Sequence, residues 1–214
     1  MTTGITSVDN SHSDIEQDEI ASLCLKLLKR KSPSTYIHCI RASIIAKQFG
    51  RVMNLDEQHL TQLIQGCRLH DIGKLLVPNS VLHCNCKLTE KDWVILRLHP
   101  VCGGHLLDYN GCRLNEAVRN IVMHHHERWD GCGYPDGLSG FQIPYLARIC
   151  SVIDAFDSMT SDRGYRKGLS YITAIHELQR NSGSQFDPEI VEAFFHFTRD
   201  PGFLPFIHNL PAAI

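Results

Sequence analysis

No apolar run in the 214-residue chain approaches the ~20 residues that a membrane-spanning helix needs. Met1 to Asp14 is polar and lacks the charged-then-apolar order of a secretory signal. Charge of one sign is missing as well: 21 Lys and Arg against 23 Asp and Glu leave a formal net charge of −2. Proteins that grip a nucleic-acid backbone carry a basic bias, so that class of partner is disfavoured. The nine cysteines are odd in number, and most fall inside helical patterns and not at disulfide-scaffold spacing. That usage suits a reduced, cytoplasmic protein with buried thiols. His83-Cys84-Asn85-Cys86 resembles half of a zinc motif, but no second cysteine pair lies at zinc-finger spacing. It reads as a loop with surface thiols. Strand-like alternation and internal repeats are also lacking.

What is present is 43% hydrophobic content, enough for a sizeable core in one domain, arranged at helical intervals. Residues 1–12 form a polar lead-in, and Ser13 with Glu16 has capping-box spacing ahead of Ile20, Leu23, Cys24, Leu27 and Leu28. Ser32 and Pro33 start a second helix that Gly50 is expected to close. A third begins near Asp56 and is expected to end at Gly73. Thr89 to Asp92 caps a fourth, in which His99-Pro100 makes an interruption. Others run from Asn115 to His126, from Pro144, from Ser170 and from Asp187. The fold class is therefore all-α, a bundle of about seven or eight helices over residues 13–198. Residues 199–214 form an apolar, proline-containing tail that either packs on the bundle or serves a partner.

The chemistry shows as polar intrusions into apolar stripes. The face of Leu60, Leu63, Ile64 and Cys67 continues into His70 and Asp71. That of Val118, Ile121 and Val122 continues into His125, with His124 and His126 beside it and a glycine-rich loop behind. Asp154 and Asp157 end the stripe of Leu146, Ile149, Cys150 and Ile153. Each residue alone reads best as a satisfied core group or a surface group. Together, His38, His70, Asp71, His99, His125 or His126, and Asp154 would leave many buried polar atoms unsatisfied without a metal. Mixed imidazole and carboxylate donors suit Fe, Mn or Zn, and their number exceeds what one ion needs. Two ions sharing Asp71 is the natural arrangement, and such pairs activate water for in-line attack on a phosphoryl group.

The order and spacing of these residues is similar to that of the HD-GYP phosphodiesterases, a branch of the HD phosphohydrolases, over roughly residues 33–198. The matching motifs include His38-x-x-Arg41, His70-Asp71-Ile72-Gly73-Lys74, His99-Pro100-x-x-Gly103 and His125-His126-Glu127-Arg128-Trp129-Asp130-Gly131-x-Gly133-Tyr134-Pro135. Further matches are Asp154-x-x-Asp157 and Asp162-Arg163-x-Tyr165-Arg166. The resemblance implies an HD-type helical bundle that hydrolyses cyclic di-GMP to linear pGpG, with GMP formed slowly. It assigns His38, His70, Asp71, His99, His125, His126 and Asp154 as ligands of two divalent transition-metal ions, Fe or Mn, with Zn or Ni accepted by the same donors. His70, Asp71 and Lys74 would be catalytic. Lys74, Gly133, Tyr134, Pro135, Asp157, Arg163 and Arg166 would contact substrate. His124 lies outside the pattern. Ser34 stands where three-metal members carry a glutamate, hence the expectation of two ions. A GGDEF-domain protein and a second copy of the chain are further partner expectations, and regulatory input is expected from outside this chain. Two other readings have the same motifs: a non-catalytic cyclic-dinucleotide-binding or GGDEF-docking module, and another HD-family nucleotide phosphohydrolase.

Overall fold

A computed structural model describes residues 9–84, 87–108, 115–162 and 167–212, with side chains from residue 19 onward. Its secondary structure is helical, and no strand occurs among the described residues. The first helices are α1 (Asp9–Lys31), α2 (Pro33–Val52) and α3 (Glu57–Leu69). A 3-10 turn, Ile72–Leu76, leads to α4 (Asn79–Leu82), α5 (Glu90–Leu96), α6 (His99–Leu107) and α7 (Glu116–His124). After a long loop come α8 (Tyr145–Thr160), α9 (Tyr171–Arg180), α10 (Pro188–Thr198) and α11 (Phe203–His208). The number exceeds the expected seven or eight because short helices fill segments that read as loops or tail.

Local chemistry explains most starts. Asp56 caps α3 by accepting from the His59 N–H at 2.8 Å, a contact worth about 1 kcal/mol. Thr89 and Asp92 form a reciprocal capping box at α5, and Asn115 accepts from the Ala117 N–H at 2.9 Å to start α7. Ser32 precedes α2 without capping it; its hydroxyl pairs with Thr35 Oγ1 at 2.8 Å.

Several boundaries differ from the sequence reading. Helix α1 already begins at Asp9, ahead of Ser13. Helix α2 runs through Gly50, which is buried against Leu60 of α3, and stops at Val52. His99-Pro100 opens α6 and does not break a longer helix, since proline fits a first helical turn. The apolar side of α5 stays in solvent, with Trp93 48% and Val94 64% exposed. Cys84 is disulfide-bonded, not a free thiol, whereas Asn85 and Cys86 lie outside the described residues.

Two apolar clusters frame the site. The larger joins Ala42, Ile45 and Phe49 of α2 to Ile149, Ile153 and Phe156 of α8 and to Phe194 of α10. Phe49 and Phe156 each meet Phe194 edge to face, at 4.9 and 5.1 Å. Such pairs add about 0.5–1.5 kcal/mol each beyond burial. Phe203, Ile207 and Leu210 of the tail are buried in this same cluster, so the tail packs on the bundle. The smaller cluster holds Cys24, Leu25, Leu69, Ile72, Leu107, Val118 and Val122. Helices α3 and α7 contribute to both clusters and end side by side between them. There the apolar stripes give way to His70-Asp71 and His125-His126.

Candidate metal centre

Three histidines leave helix ends with the same local bond. Nδ1 of His70 donates to the Cys67 carbonyl at 2.7 Å, that of His99 to Leu96 at 2.7 Å, and that of His125 to Val122 at 2.9 Å. A carbonyl only accepts, so Nδ1 carries a proton in each, and the Nε2 atom is the one turned inward, where a neutral ring offers a lone pair. His38 is held differently: its Nδ1 donates to Asp157 Oδ2 at 2.8 Å.

The inward atoms form two groups. In one, His38 Nε2 lies 3.1 Å from His70 Nε2 and 2.9 Å from Asp154 Oδ1, with Asp71 Oδ2 3.5 Å from His70 Nε2. In the other, His99 Nε2 lies 3.3 Å from His125 Nε2 and 3.2 Å from Asp71 Oδ1, with the His126 ring 4.1 Å from that of His125. Donor atoms of His38, His70 and Asp71 all fall within 4.8 Å of one another, as do those of His99, His125 and His126. Asp71 therefore has one oxygen toward each group. Its Oδ1 is buried and without a hydrogen-bond partner among the described residues, with His99 Nε2 3.2 Å away. Acceptors packed against acceptors need cations between them. The donor set fits metal ions.

Electrostatics agree. Burial opposes charge on His38, yet hydrogen bonds with Asp154 and Asp157 push its pKa up to about 10. His70 rises to about 9 against the same burial, through the charge of Asp71 and a hydrogen bond with it. Burial alone would raise Asp71, but Lys74 and His70 hold it well below the usual carboxylate range. Asp154 is held low in the same way, mainly by His38. In the second group burial and neighbouring imidazoles hold the pKa of His125 well below the usual histidine range, and burial, with the His99 ring beside it, lowers His126 to about 3. Those rings are ready as lone-pair donors.

Gly73 sets the distance between the groups. A Cβ there would sit 1.8 Å from the His99 carbonyl oxygen, so only glycine lets the 3-10 turn press on the start of α6. This is its role, in place of the helix stop expected from sequence. Lys74 Nζ donates to Asp71 Oδ2 at 2.6 Å, so the cation expected on phosphate rests on the shared carboxylate.

Behind α7 the loop is tied by Glu127. This carboxylate, 2% exposed, accepts from the backbone N–H groups of Asp136, Gly137 and Leu138 at 2.7, 3.1 and 3.1 Å. His124 bridges the Asn120 carbonyl and Asp136 Oδ2, both at 3.0 Å, which gives that residue a part in holding the loop. Gly133 has backbone of Arg128 where a Cβ would go, at 2.4 Å. Tyr134 is thereby laid against His126, ring centroids 4.9 Å apart, next to Pro135. A cavity of about 290 Å³ opens at this point, lined by Arg97, His126, Gly133, Tyr134 and Asp154. A larger one of about 550 Å³ lies between α1, α2 and α3 and is lined by none of the clustered His and Asp residues, so size does not identify the candidate site.

One substrate assignment changes. Asp157 is fully buried between His38 and Arg41, and it orients the His38 ring without lining the cavity. Arg163 and Arg166 lie outside the described residues. Arg97, which lies 5.5 Å from the Tyr134 ring centroid and lines the cavity, was missed; its only sequence signal was a cation two residues before His99. Glu127 was matched as part of a motif without a role.

The HD domain family matches residues 17–190 of this chain. The chain belongs to the HD-domain family. Such domains are metal-dependent, in keeping with the two His and Asp groups. A cyclic di-GMP phosphodiesterase of Pseudomonas aeruginosa is 35% identical over 198 residues, covering 88% of this chain and 47% of the relative. A cyclic di-GMP phosphodiesterase response regulator of Xanthomonas campestris is 39% identical, covering 71% of this chain and 39% of its own length. A 3'3'-cGAMP-specific phosphodiesterase of Vibrio cholerae is 32% identical, covering 77% and 32% respectively. The HD-domain chain thus spans half or less of the length of these relatives. With the Gly133-Tyr134-Pro135 loop, they place it in the HD-GYP branch. Among solved structures, an HD-GYP-type protein of Bdellovibrio bacteriovorus matches with a TM-score of 0.65 at 17% identity, covering 87% of this chain and 63% of that one. That match speaks to the fold. No helix among the described residues is long and apolar enough to cross a membrane.

Proposed function

We propose that this HD-domain chain is a metal-dependent phosphodiesterase that opens cyclic di-GMP to linear pGpG. The observation that carries the reading is Asp71, a buried carboxylate with one oxygen toward each of two imidazole groups. His38, His70, Asp154 and Asp71 would hold one ion, and His99, His125, His126 and Asp71 the second. Iron or manganese suits this donor set, and zinc or nickel can occupy it. Bound there, paired divalent ions activate water and neutralise charge on the phosphodiester.

The chain's own residues do the rest. Asp157 and the three backbone carbonyls fix the ring orientations, and the low pKa of Asp71 keeps that carboxylate ionised as a ligand. Tyr134, set by the Glu127 tie, forms a wall of the cavity on which a guanine can lie, while Lys74, Arg97, Arg163 and Arg166 supply charge-assisted donors for phosphate. Water's oxygen adds to phosphorus, the bond from phosphorus to the 3'-oxygen breaks, and the water's proton ends on that departing oxygen. The product has a 5'-phosphate and a free 3'-hydroxyl. A cytoplasmic site of action, a GGDEF-domain partner and pairing with a second copy belong to the same reading, and pull-down with analytical ultracentrifugation tests both partners.

The deciding assay is hydrolysis by protein reloaded with Mn or Fe, offered cyclic di-GMP, 3'3'-cGAMP and nucleoside monophosphates in parallel. Cyclic di-GMP is expected to be consumed fastest, giving pGpG. Binding without turnover under every metal would overturn the reading in favour of a binding module, and turnover of monophosphates alone would point to a nucleotidase.

A further inference from the structure

One chain of buried contacts leads from the proposed metal site to the C-terminal tail. His38 Nδ1 donates to Asp157 Oδ2 at 2.8 Å. The other oxygen of Asp157 accepts from Arg41 Nε at 2.7 Å. Arg41 Nη1 in turn donates to the backbone carbonyl of Pro211 at 2.9 Å, across 170 residues of sequence. Asp157 is fully buried and Arg41 only 8% exposed, so neither charge has water to fall back on. A buried guanidinium needs its donors occupied, and a buried carboxylate needs its partner in place. The Pro211 carbonyl therefore fixes where the Arg41 fork lies, the fork fixes the Asp157 plane, and the plane fixes the His38 ring. Phe203, Ile207 and Leu210 anchor the tail in the large core and hold that carbonyl at its station.

We infer that Arg41, anchored by the C-terminal tail at Pro211, is a positioning residue that sets the affinity of the His38, His70, Asp71 and Asp154 group for its metal ion. The inference rests on the metal reading above. It also makes the tail part of the site although no tail residue is a ligand. The second group, His99, His125 and His126, takes its orientations from Leu96 and Val122 carbonyls and the Tyr134 loop, with no hydrogen bond to Arg41 among the described residues. The effect is confined to one of the two ions.

The test is metal binding, read as ions per chain by elemental analysis and as affinity by competition with a chromophoric chelator for Mn(II), on full-length protein. Arg41→Ala should weaken one ion by about 10–100-fold, as loss of a residue that orients a metal-binding imidazole does, and leave the other unchanged. Arg41→Lys keeps the charge but cannot reach both acceptors and should fall between. A chain stopped after Asn209 loses the Pro211 carbonyl and should repeat the Arg41→Ala pattern. Leu178→Ala thins the same core from α9 without touching the tail's anchors, so it should lower the melting temperature and leave both affinities alone. Equal weakening of both ions in Arg41→Ala, or a stopped chain with wild-type affinities, would overturn the inference. Wild-type protein that binds no Mn(II) at all would instead remove the metal reading on which it stands.

Discussion

Gly73→Ala adds one methyl group at the place where the 3-10 turn meets α6. The new carbon would lie 1.8 Å from the His99 carbonyl oxygen, 2.6 Å from the Gly103 nitrogen and 2.8 Å from the His99 carbonyl carbon. Ordinary contact begins near 3.4 Å, so the two backbones must separate by about the difference of 3.4 and 1.8 Å. All three neighbours are main chain, and no rotamer change can make room. Overpacking costs about 1–3 kcal/mol, and this rigid case belongs at the upper end. At roughly 2–4 °C per kcal/mol for a chain of this size, the melting temperature should drop by about 6–12 °C. Separation also carries His99 away from Asp71 Oδ1, now 3.2 Å from its Nε2, and a shift of about 1 Å in a catalytic array can cost on the order of 100-fold in rate. Calorimetry, ions per chain and turnover of cyclic di-GMP measure the three effects. A Gly73→Ala protein with wild-type melting and a full metal complement would refute the close-approach argument.

Asp71→Ala should lose both ions and all activity together, since each group loses its shared oxygen; retention of one tightly held ion by elemental analysis would contradict the sharing. Glu127→Gln swaps a carboxylate that accepts three N–H bonds for an amide whose NH2 faces one of them. A loss of about 1.5–3 kcal/mol in unfolding free energy and a raised KM at unchanged metal content are expected, checked by denaturation and steady-state kinetics. Ser34 is exposed, and its hydroxyl lies 3.5 Å from that of Ser32, so it offers no carboxylate for a third ion. The protein should hold two ions and release pGpG as the early product; three full sites by anomalous scattering, or GMP without a linear intermediate, would count against this.

The clustering of His and Asp was legible in the sequence because a polar residue in a helical apolar stripe has no ordinary place to go. His70-Asp71 and His125 stood out on that ground, and the structure puts them where the stripes end between the two cores. Helix starts at Asp56, Thr89 and Asn115 were legible for a similar reason, since capping acts within three residues. What was hidden depends on partners far away in the chain. Gly73 looks like a helix terminator until His99 lies against it, and Asp157 looks like a substrate residue until Arg41 and His38 enclose it. Glu127 was hidden differently: its side chain folds back on its own loop, a geometry that no periodicity reports. Splitting α5 from α6 at His99-Pro100 turned on whether proline ended one helix or opened another, and both fit the local pattern.

The three Nδ1 bonds have one more consequence. In His70, His99 and His125 the acceptor is the carbonyl three residues earlier, a main-chain atom at the last turn of the preceding helix. Helix ends leave such carbonyls without partners, and here the imidazoles use them. Ring orientation is therefore written in backbone geometry and not in the identity of the side chains at 67, 96 and 122. Residues at those positions can drift, within the limits of packing, without turning an imidazole away from its group. Each unit of short helix end plus histidine is self-contained, and it could be moved to another helical scaffold with its tautomer already chosen. His38 is the exception, because its orientation is a long-range agreement among α2, α8 and the tail, and it is the imidazole where divergence between relatives should be felt first.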